Sequence, residues 1–324
     1  MRIAFVSKAL KTNQLKRIVV DTTVQPKAVA FPTDVGLMRK AISALVDLAK
    51  KNNIVLRQTY ERVVKRAAIK SGRYRHAKQM KRAKREEQFI RTRLGRVIRD
   101  ISRKIQGNEV LKDIFTADLL KAVTLQKQQR HSKQKVYSWH APETECIGKG
   151  KAHKPYEFGC KVSVTTNVNP ARGGHFVLHI GALHQNPFDG HTLAPVLNSY
   201  TQQTGITPER IYVDKGYQGH TYEHKHRVFK SGQKRGVKGK IKKELKRRSV
   251  VEPIIGHLKS DHALGRNFLK GIDGDKINAL LAGIGYNFRL LLRWLRFFCF
   301  KIVMRLWGLL FKNSESGFYR FAMG

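Results

Sequence analysis

The sequence predicts a mixed α/β protein whose β-sheet domain is interrupted by a long helical block. Short runs rich in β-branched and aromatic residues, typical of strands, occur near the N-terminus and again between residues 156 and 214. Over residues 37–128, apolar residues recur at helical spacing, which predicts three or four helices. Hydrophobic residues occupy 41% of the 324 positions, enough for one large domain or for one domain with an insertion.

The first predicted strand lies at residues 17–23, where a continuous β-branched run indicates burial. Residues 27–31 are expected to extend this strand or to pair with it after Pro26. The tripeptide Pro32-Thr33-Asp34 then ends the strand region. The helical block follows directly.

The second half of the chain predicts three strands and a helix. Residues 156–166 and 175–183 predict an antiparallel hairpin, because turn-forming residues separate two β-rich runs. A helical pattern then begins at Asp189, the predicted N-cap, and ends at Gly205. Residues 209–214 predict a further strand.

The C-terminal third is basic and then apolar. Residues 225–248 hold 12 Lys and Arg against one acid, Glu244, and predict a loop that is mobile or ordered by DNA. Residues 278–295 have the apolar density of a core helix. Residues 290–311 carry four cations, too many for a membrane span, and predict a terminal packing helix with a cationic face.

The charge of the chain indicates a polyanionic partner. There are 64 Lys and Arg against 23 Asp and Glu, a formal net charge of +41. Folded proteins with such an excess usually bind nucleic acid. The charge is spread along the chain, which argues against a membrane-surface protein. Residues 62–104 hold 17 Lys and Arg against three acids, and we expect DNA-backbone contacts there, with an ordinary solvated basic surface as the alternative.

Cysteine usage and the N-terminus predict the compartment. Cys146, Cys160 and Cys299 form no dense disulfide framework, which is typical of a reducing environment. The first ten residues contain no apolar stretch of signal-peptide length. We therefore expect a cytoplasmic protein.

Two widely separated acids predict a divalent metal site. Asp214 ends an apolar run, and Glu252 lies 38 positions later within the pattern Arg248-x3-Glu252-x6-Lys259. An aspartate at the carboxyl end of a strand and a glutamate on a later helix can hold a divalent ion, while flanking cations can clamp phosphates.

A series of short motifs occurs in order from Ile18 to about Trp294. They are Val20-Asp21-Thr22-Thr23-Val24, Phe31-Pro32-Thr33-Asp34, Tyr156-Glu157-Phe158-Gly159, Asn186-Pro187, Asp189-Gly190-His191-Thr192-Leu193, Val213-Asp214-Lys215-Gly216-Tyr217, Arg247-Arg248-Ser249 and Glu252-Pro253-Ile254-Ile255-Gly256-His257. In these motifs the chain resembles the DDE-type transposases of bacterial insertion sequences, in the branch of the insertion-sequence-four and insertion-sequence-five types. With the helical block removed, the order of predicted elements is also ribonuclease-H-like.

The resemblance implies a ribonuclease-H-like mixed sheet flanked by helices, with a large helical insertion between the first and second strands. It implies that Asp21, Asp214 and Glu252 are catalytic and bind Mg²⁺, or Mn²⁺ in its place. Arg248 and Lys259 match the family's Arg-x3-Glu-x6-Lys pattern. The fuller pattern has a tyrosine three residues before the arginine, where this chain has leucine.

The remaining expectations concern DNA. We expect Lys215, Tyr217 and Arg247 to position DNA together with the basic stretch at 225–248. The implied reaction is metal-dependent cleavage of element ends and their joining to target DNA. The implied partners are double-stranded DNA, as terminal inverted repeats and as target, and a second copy of the chain in a homodimer or larger assembly, with no membrane.

Family members generally carry a DNA-recognition region before the first catalytic strand, and this chain is expected to lack it. A truncated, catalytically inactive DNA-binding remnant is therefore the alternative function, and a basic RNA-binding or ribosome-associated protein is a third. The predicted organisation is residues 1–34 as the first catalytic strand, 35–130 as the helical basic insertion, 131–298 as the rest of the catalytic domain, and 299–324 as an apolar and basic tail.

Structural roles compete with several of these assignments. Asp21 and Asp214 are of a type that also caps strand ends, and Ser249-x2-Glu252 matches a capping box. Other acids considered for the first metal position are Glu143, Glu145, Glu157 and Asp189. Asp189 is not favoured, because it lies too near Asp214 in the sequence to leave room for the intervening strands. Four loosely spaced residues could form a zinc site: His140, Cys146, His153 and Cys160. They include no closely spaced pair of cysteines, so an ordinary basic loop is the favoured interpretation of this segment. For Trp139, packing is favoured over stacking on a base.

Overall fold

The protein is a mixed α/β structure with a curled mixed sheet flanked by helices. The computed structural model describes residues 9–129, 131–133, 135–150, 153 and 155–321, with side chains described as far as Trp307. The first eight residues and part of the predicted basic loop at 148–154 lie outside the described residues. Two compact units are distinguished, Met1–Pro26 with Gly159–Gly324, and Lys27–Phe158. The domain boundaries expected at 34, 130 and 298 stay a prediction.

Apart from short 3-10 turns, the described residues form six strands and eight helices. In chain order they are β1 (Arg17–Pro26), α1 (Asp34–Lys51), α2 (Glu61–His76), α3 (Met80–Ile105), α4 (Glu109–Lys127), β2 (Glu145–Gly148), β3 (Tyr156–Asn167), β4 (Val177–Leu183), α5 (Asp189–Thr204), β5 (Arg210–Val213), β6 (Val228–Lys230), α6 (Gly239–Lys246), α7 (Val251–Asp261) and α8 (Gly271–Phe321).

The sheet has six strands in the order β2-β3-β1-β5-β6, and β4 also pairs with β3. Strand β3 is antiparallel to β1 and to β4, which confirms the predicted hairpin. Strands β1, β5 and β6 run parallel. Ile18, Val19 and Val20 are wholly buried, as expected for an inner strand covered on both faces. Helix α7 packs against β1, and α5 and α8 pack against β4.

The unit Lys27–Phe158 contains four helices, α1 to α4, in agreement with the predicted three or four. Helix α1 begins after Thr33, whose hydroxyl accepts a hydrogen bond from the Gly36 N–H at 3.1 Å. The apolar side chains of α3, among them Ile90, Leu94 and Ile101, are wholly buried. Helix α3 therefore has a buried apolar face in addition to its many cations.

Several local expectations were wrong. The N-cap of α5 is Phe188, and Asp189 is the first helical residue, while Gly205 takes the left-handed conformation expected of a C-terminal glycine, with φ of 69°. Strand β1 ends at Pro26 and does not extend through 27–31. Residues 225–248 are not one loop, because they contain β6 and α6.

Helix α8 contains the predicted core helix and continues beyond it. Ala279 and Ala282 are buried against the sheet unit. Further along, large apolar side chains such as Leu295, Phe298 and Trp307 are exposed, so the expected packing of the terminal helix is not formed by the described residues. Among the helices described, none has the length and hydrophobicity needed to cross a membrane.

Candidate active site

Parallel pairing of β1 with β5 brings two of the predicted acids together. Ile18 lies opposite Ile211, and Val19 lies opposite Tyr212. Continued by two residues, this register places Asp21 level with Asp214, which directly follows β5. Neighbouring strands are about 4.8 Å apart, so these two acids lie side by side where β5 ends next to the middle of β1.

Arg248 joins these two acids to Glu252. Its Nη1 lies 3.7 Å from Asp21 Oδ2, and its Nη2 lies 3.8 Å from Asp214 Oδ1 and 3.5 Å from Glu252 Oε1. The Arg248 side chain is only 14% exposed, whereas Glu252 is 64% exposed. Three carboxylates from distant segments therefore surround one guanidinium and open towards solvent on the Glu252 side.

The start of α7 explains how Glu252 reaches this position. Val251 and Leu258 are buried on one face of the helix, and Glu252 lies on the exposed face. The N-cap is Val250, and no side-chain capping bond forms, so the Ser249-x2-Glu252 capping box is absent. Pro253 occupies the first turn, where its missing N–H costs nothing. The Glu252 carboxylate is directed to Arg248 and not to the helix end.

Asp21 is the most deeply buried of the three assigned acids. Desolvation raises the pKa of Asp21 to about 6, and the nearby charges of Asp214 and Asp189 act in the same direction. The Thr22 N–H, which donates to Asp21 Oδ1 at 2.8 Å, and Arg248 act against this rise in the pKa. A divalent cation at this position would therefore compete with a proton near neutral pH.

Asp189 is a fourth acid at the site, one that the sequence did not assign. Its Oδ1 accepts hydrogen bonds from the Thr22 hydroxyl at 3.0 Å and from Lys161 Nζ at 3.1 Å. A Cβ on Gly216 would lie 3.1 Å from Asp189 Oδ2, so glycine permits this close approach. The Asp189-Gly-His-Thr-Leu motif was the available signal. Asp189 had been set aside because of its short sequence separation from Asp214.

The other four predicted DNA-binding residues differ from one another in position and exposure. Lys215 is exposed beside Asp214, and Lys259 lies on α7 two turns after Glu252. Arg247 turns aside and donates to Asn169 Oδ1. Tyr217 is only 1% exposed, so contact with DNA would require its exposure. Burial, with help from the neighbouring Asp21 and Asp189, raises the pKa of Tyr217 well above its usual value.

Glu244 anchors the segment that leads to Arg248. Its carboxylate, 3% exposed, accepts hydrogen bonds from Arg210 Nε at 2.7 Å and from the Tyr212 hydroxyl at 2.5 Å, and Arg17 Nη1 lies 3.7 Å away. Burial opposes ionisation of Glu244, but the bonds from Arg210 and Tyr212 outweigh it and keep its pKa below the usual value. Because Arg210 and Tyr212 belong to β5, Glu244 fixes α6 to the strand that Asp214 directly follows.

The other candidate acids and Trp139 have structural partners. Glu143 pairs with Lys27 at 2.7 Å, and Glu157 pairs with Lys149 at 3.7 Å. Trp139 packs against the core of the helical unit, with Lys121 Nζ 4.6 Å from its ring centre, in agreement with the packing alternative.

The loosely spaced zinc set is not assembled in the described residues. Instead, Cys160 lies with His184 and Asp275, and the ligand atoms of these three residues are all within 4.8 Å of one another.

The predicted basic surface is exposed on α2 and α3. Arg62, Lys65, Arg66 and Lys70 on α2, and Lys81, Arg82, Lys84 and Arg85 on α3, all face solvent. Asp100, a buried acid in this region, is matched by Arg57, Arg103 and Lys104, each with a nitrogen within 4 Å of its carboxylate. The exposed cations form a surface that a polyanion could contact.

Comparison with known proteins places the chain in no named family. No family model matches it, and no solved structure matches it. A segment of 81 residues, 24% of the chain, is 53% identical to "Uncharacterized protein ORF8 in nfe locus" of Rhizobium meliloti. The match spans 39% of that protein's length. This relative carries no named function.

Proposed function

We propose that the chain is a DDE-type transposase, which cleaves the ends of an insertion sequence and joins them to target DNA. The observation that carries this proposal is the convergence of Asp21, Asp214 and Glu252 on Arg248, each within 4 Å of its guanidinium. These are the acids and the arginine that the sequence resemblance implies. Arg248 and Glu252 are only four residues apart, but Asp21 and Asp214 come from distant segments of the chain.

The topology supports a ribonuclease-H-like assignment. Strands β1, β3 and β4 are antiparallel neighbours, and β5, which follows helix α5, lies parallel to β1 on its other side. In this arrangement the register of β1 with β5 puts Asp21 level with Asp214. Helix α7 packs against β1 and supplies the third acid.

The donor set suits a hard divalent cation. Carboxylate oxygens are ligands that Mg²⁺ and Mn²⁺ prefer. In this structure the positively charged guanidinium of Arg248 lies among the carboxylates. Asp21, Asp214 and Glu252 would hold the metal, which supplies activation of a water or a 3′ hydroxyl and stabilisation of the leaving oxygen. Asp189, held by Thr22 and Lys161, fixes the β1 segment next to Asp21.

The surrounding cations suit the substrate. Arg248 and Lys259 follow the spacing expected for a phosphate clamp, and Lys215 lies exposed next to Asp214. The exposed cations of α2 and α3 would contact the DNA backbone, and a homodimer would bring two element ends together.

Strand transfer tests the proposal directly. A labelled, pre-cleaved element end, with its sequence taken from DNA flanking the gene, is incubated with supercoiled plasmid and Mg²⁺ or Mn²⁺. Wild type and Glu252→Gln are compared with Glu109→Gln, a control whose side chain is 82% exposed on α4. We expect metal-dependent joining by wild type and by the control, and loss of at least about 100-fold in Glu252→Gln.

Other outcomes reject parts of the proposal. Equal joining by wild type and Glu252→Gln would remove Glu252 from the mechanism. Absence of joining by all three proteins, although all bind DNA, would favour a catalytically inactive DNA-binding protein.

A further inference from the structure

A second polar cluster lies at the far end of β1 from the three acids. Cys160 of β3 lies opposite Gln25 of β1, and His184 follows the end of β4. Asp275 is in the first turns of α8. Gln25 is four residues along the strand from Asp21, roughly 13 Å away. This cluster is therefore separate from the candidate active site.

The three side chains have the composition of a transition-metal site. A thiol, an imidazole and a carboxylate are the ligand types that bind Zn²⁺. Their ligand atoms lie within 4.8 Å of one another, and His184 Nε2 is 3.9 Å from Asp275 Oδ2. Ligand atoms around tetrahedral zinc are roughly 3.3–3.8 Å apart, given bonds of about 2.0–2.3 Å. Shifts of a few tenths of an ångström to about one ångström would complete the geometry.

The neighbouring amides already orient the carboxylate. Asn267 Nδ2 donates to Asp275 Oδ1 at 2.6 Å, so the other oxygen, Oδ2, is directed towards His184. Gln25 Nε2 donates to the Asp275 carbonyl at 3.1 Å, and Asn278 Nδ2 donates to Gln25 Oε1 at 2.9 Å. Such outer contacts fix ligand orientation at metal sites.

Burial favours a metal over a catalytic role. Cys160 is wholly buried and the Asp275 side chain is 3% exposed, whereas His184 is 17% exposed. A Cys-His-Asp set is also the composition of a nucleophilic triad, but a wholly buried sulfur cannot meet a substrate. The Asp275 carboxylate is removed from water and already accepts a hydrogen bond from Asn267, and a bound zinc ion would add a positive charge beside it.

We propose that Cys160, His184 and Asp275 form a structural zinc site that fastens the first turns of α8 to the end of the β1–β3 pair. Zinc binding displaces the thiol proton to solvent. The His184 side chain is 17% exposed, and a water on that side would supply the fourth ligand. The site holds the C-terminal helix against the sheet and takes no part in DNA chemistry.

Cobalt substitution tests this site without any DNA assay. Untagged, reduced protein is stripped with chelator and titrated with Co²⁺, because a thiolate-bound cobalt ion gives a near-ultraviolet charge-transfer absorption that surface histidines cannot produce. We expect one such ion per chain, displaced by Zn²⁺. Cys160→Ser should lose the absorption. His184→Gln should weaken binding by more than about 100-fold, which exceeds the roughly 10–100-fold typical of outer-shell changes.

Two matched controls come from the other cysteines. Cys299→Ser, at an exposed position, and Cys146→Ser, at a half-buried one, should bind cobalt as wild type does. If Cys160→Ser fails to fold, the partly exposed His184→Gln decides, with circular dichroism as the check on folding. Absence of the absorption in folded wild type, or its persistence in folded Cys160→Ser, would overturn the proposal.

Discussion

Replacement of Glu244 by glutamine probes the anchor beneath the candidate active site. The change keeps the size of the side chain but removes the charge that faces Arg210 and Arg17. One amide oxygen can still accept a hydrogen bond from Tyr212 or from Arg210, but not as a carboxylate does. The variant therefore loses stability for two reasons: charge-assisted hydrogen bonds are removed, and two guanidinium groups no longer face an anion.

The expected loss follows from the burial of these groups. Breaking a buried ion pair typically costs about 3–5 kcal/mol, and a hydrogen bond to a charged group contributes about 1.5–3 kcal/mol. Arg17 and Arg210 are 19% and 22% exposed, so water partly replaces the lost contacts. We therefore expect about 2 kcal/mol less stability, which corresponds to a melting temperature lower by about 4–8 °C.

Calorimetry of wild type, Glu244→Gln and Glu109→Gln measures this effect. Glu109 also pairs with a cation, Lys112, but its side chain is 82% exposed, and we expect a change below about 0.5 kcal/mol. The pKa of Glu244 is lowered in the folded state, so its contribution is present above the usual glutamate pKa and is lost as the pH falls. The difference between wild type and Glu244→Gln should shrink in acid. Equal effects at Glu244 and Glu109 would refute the assignment of Glu244 as an anchor.

Three further predictions concern metal and DNA. Without divalent metal, Arg248→Gln should lower the melting temperature by about 2–4 °C, because the loss of partly exposed ion pairs costs roughly 1 kcal/mol. Mg²⁺ should then stabilise the Arg248→Gln variant more than it stabilises wild type. An equal effect of Mg²⁺ on the two proteins would contradict this prediction. Because the pKa of Asp21 is raised to about 6, protons should weaken Mg²⁺ binding as the pH falls through that value, measured by calorimetric titration; an affinity independent of pH would exclude Asp21 as a ligand. Replacing Arg66 and Lys70 together by glutamine should reduce the salt dependence of DNA affinity by about one unit of slope each, measured by fluorescence anisotropy; an unchanged slope would remove α2 from the DNA interface.

The sequence predicted those strands and helices in which a β-branched run or a periodic spacing of apolar residues extends over several residues. Strands β1, β3, β4 and β5 and the four helices of the helical unit followed from β-branched runs and from apolar spacing. Strand β6 has only three residues among lysines and arginines, so its pattern is too short to distinguish from a loop. Its pairing with β5 depends on a tertiary contact that no local pattern records.

The site shows where sequence reasoning reached its limit. The motif order identified Asp21, Asp214, Glu252 and Arg248, and the structure brings these four residues together. Asp189 was set aside on sequence separation, although the β1–β3 pairing carries Lys161 and Thr22 to its carboxylate. The lone acid in a basic stretch, Glu244, was visible in the sequence, but its partners on β5 were not.

The distribution of cations is consistent with the proposal that a metal ion binds among the three acids. With 64 Lys and Arg for 23 Asp and Glu, most acids in this chain could have several cationic partners. Asp100 has three cations within 4 Å, and Glu244 has two. In the described ion pairs, Asp21, Asp214 and Glu252 share Arg248 alone. Three carboxylates with one guanidinium retain excess negative charge in a strongly basic protein, and this local excess would be neutralised by a divalent ion.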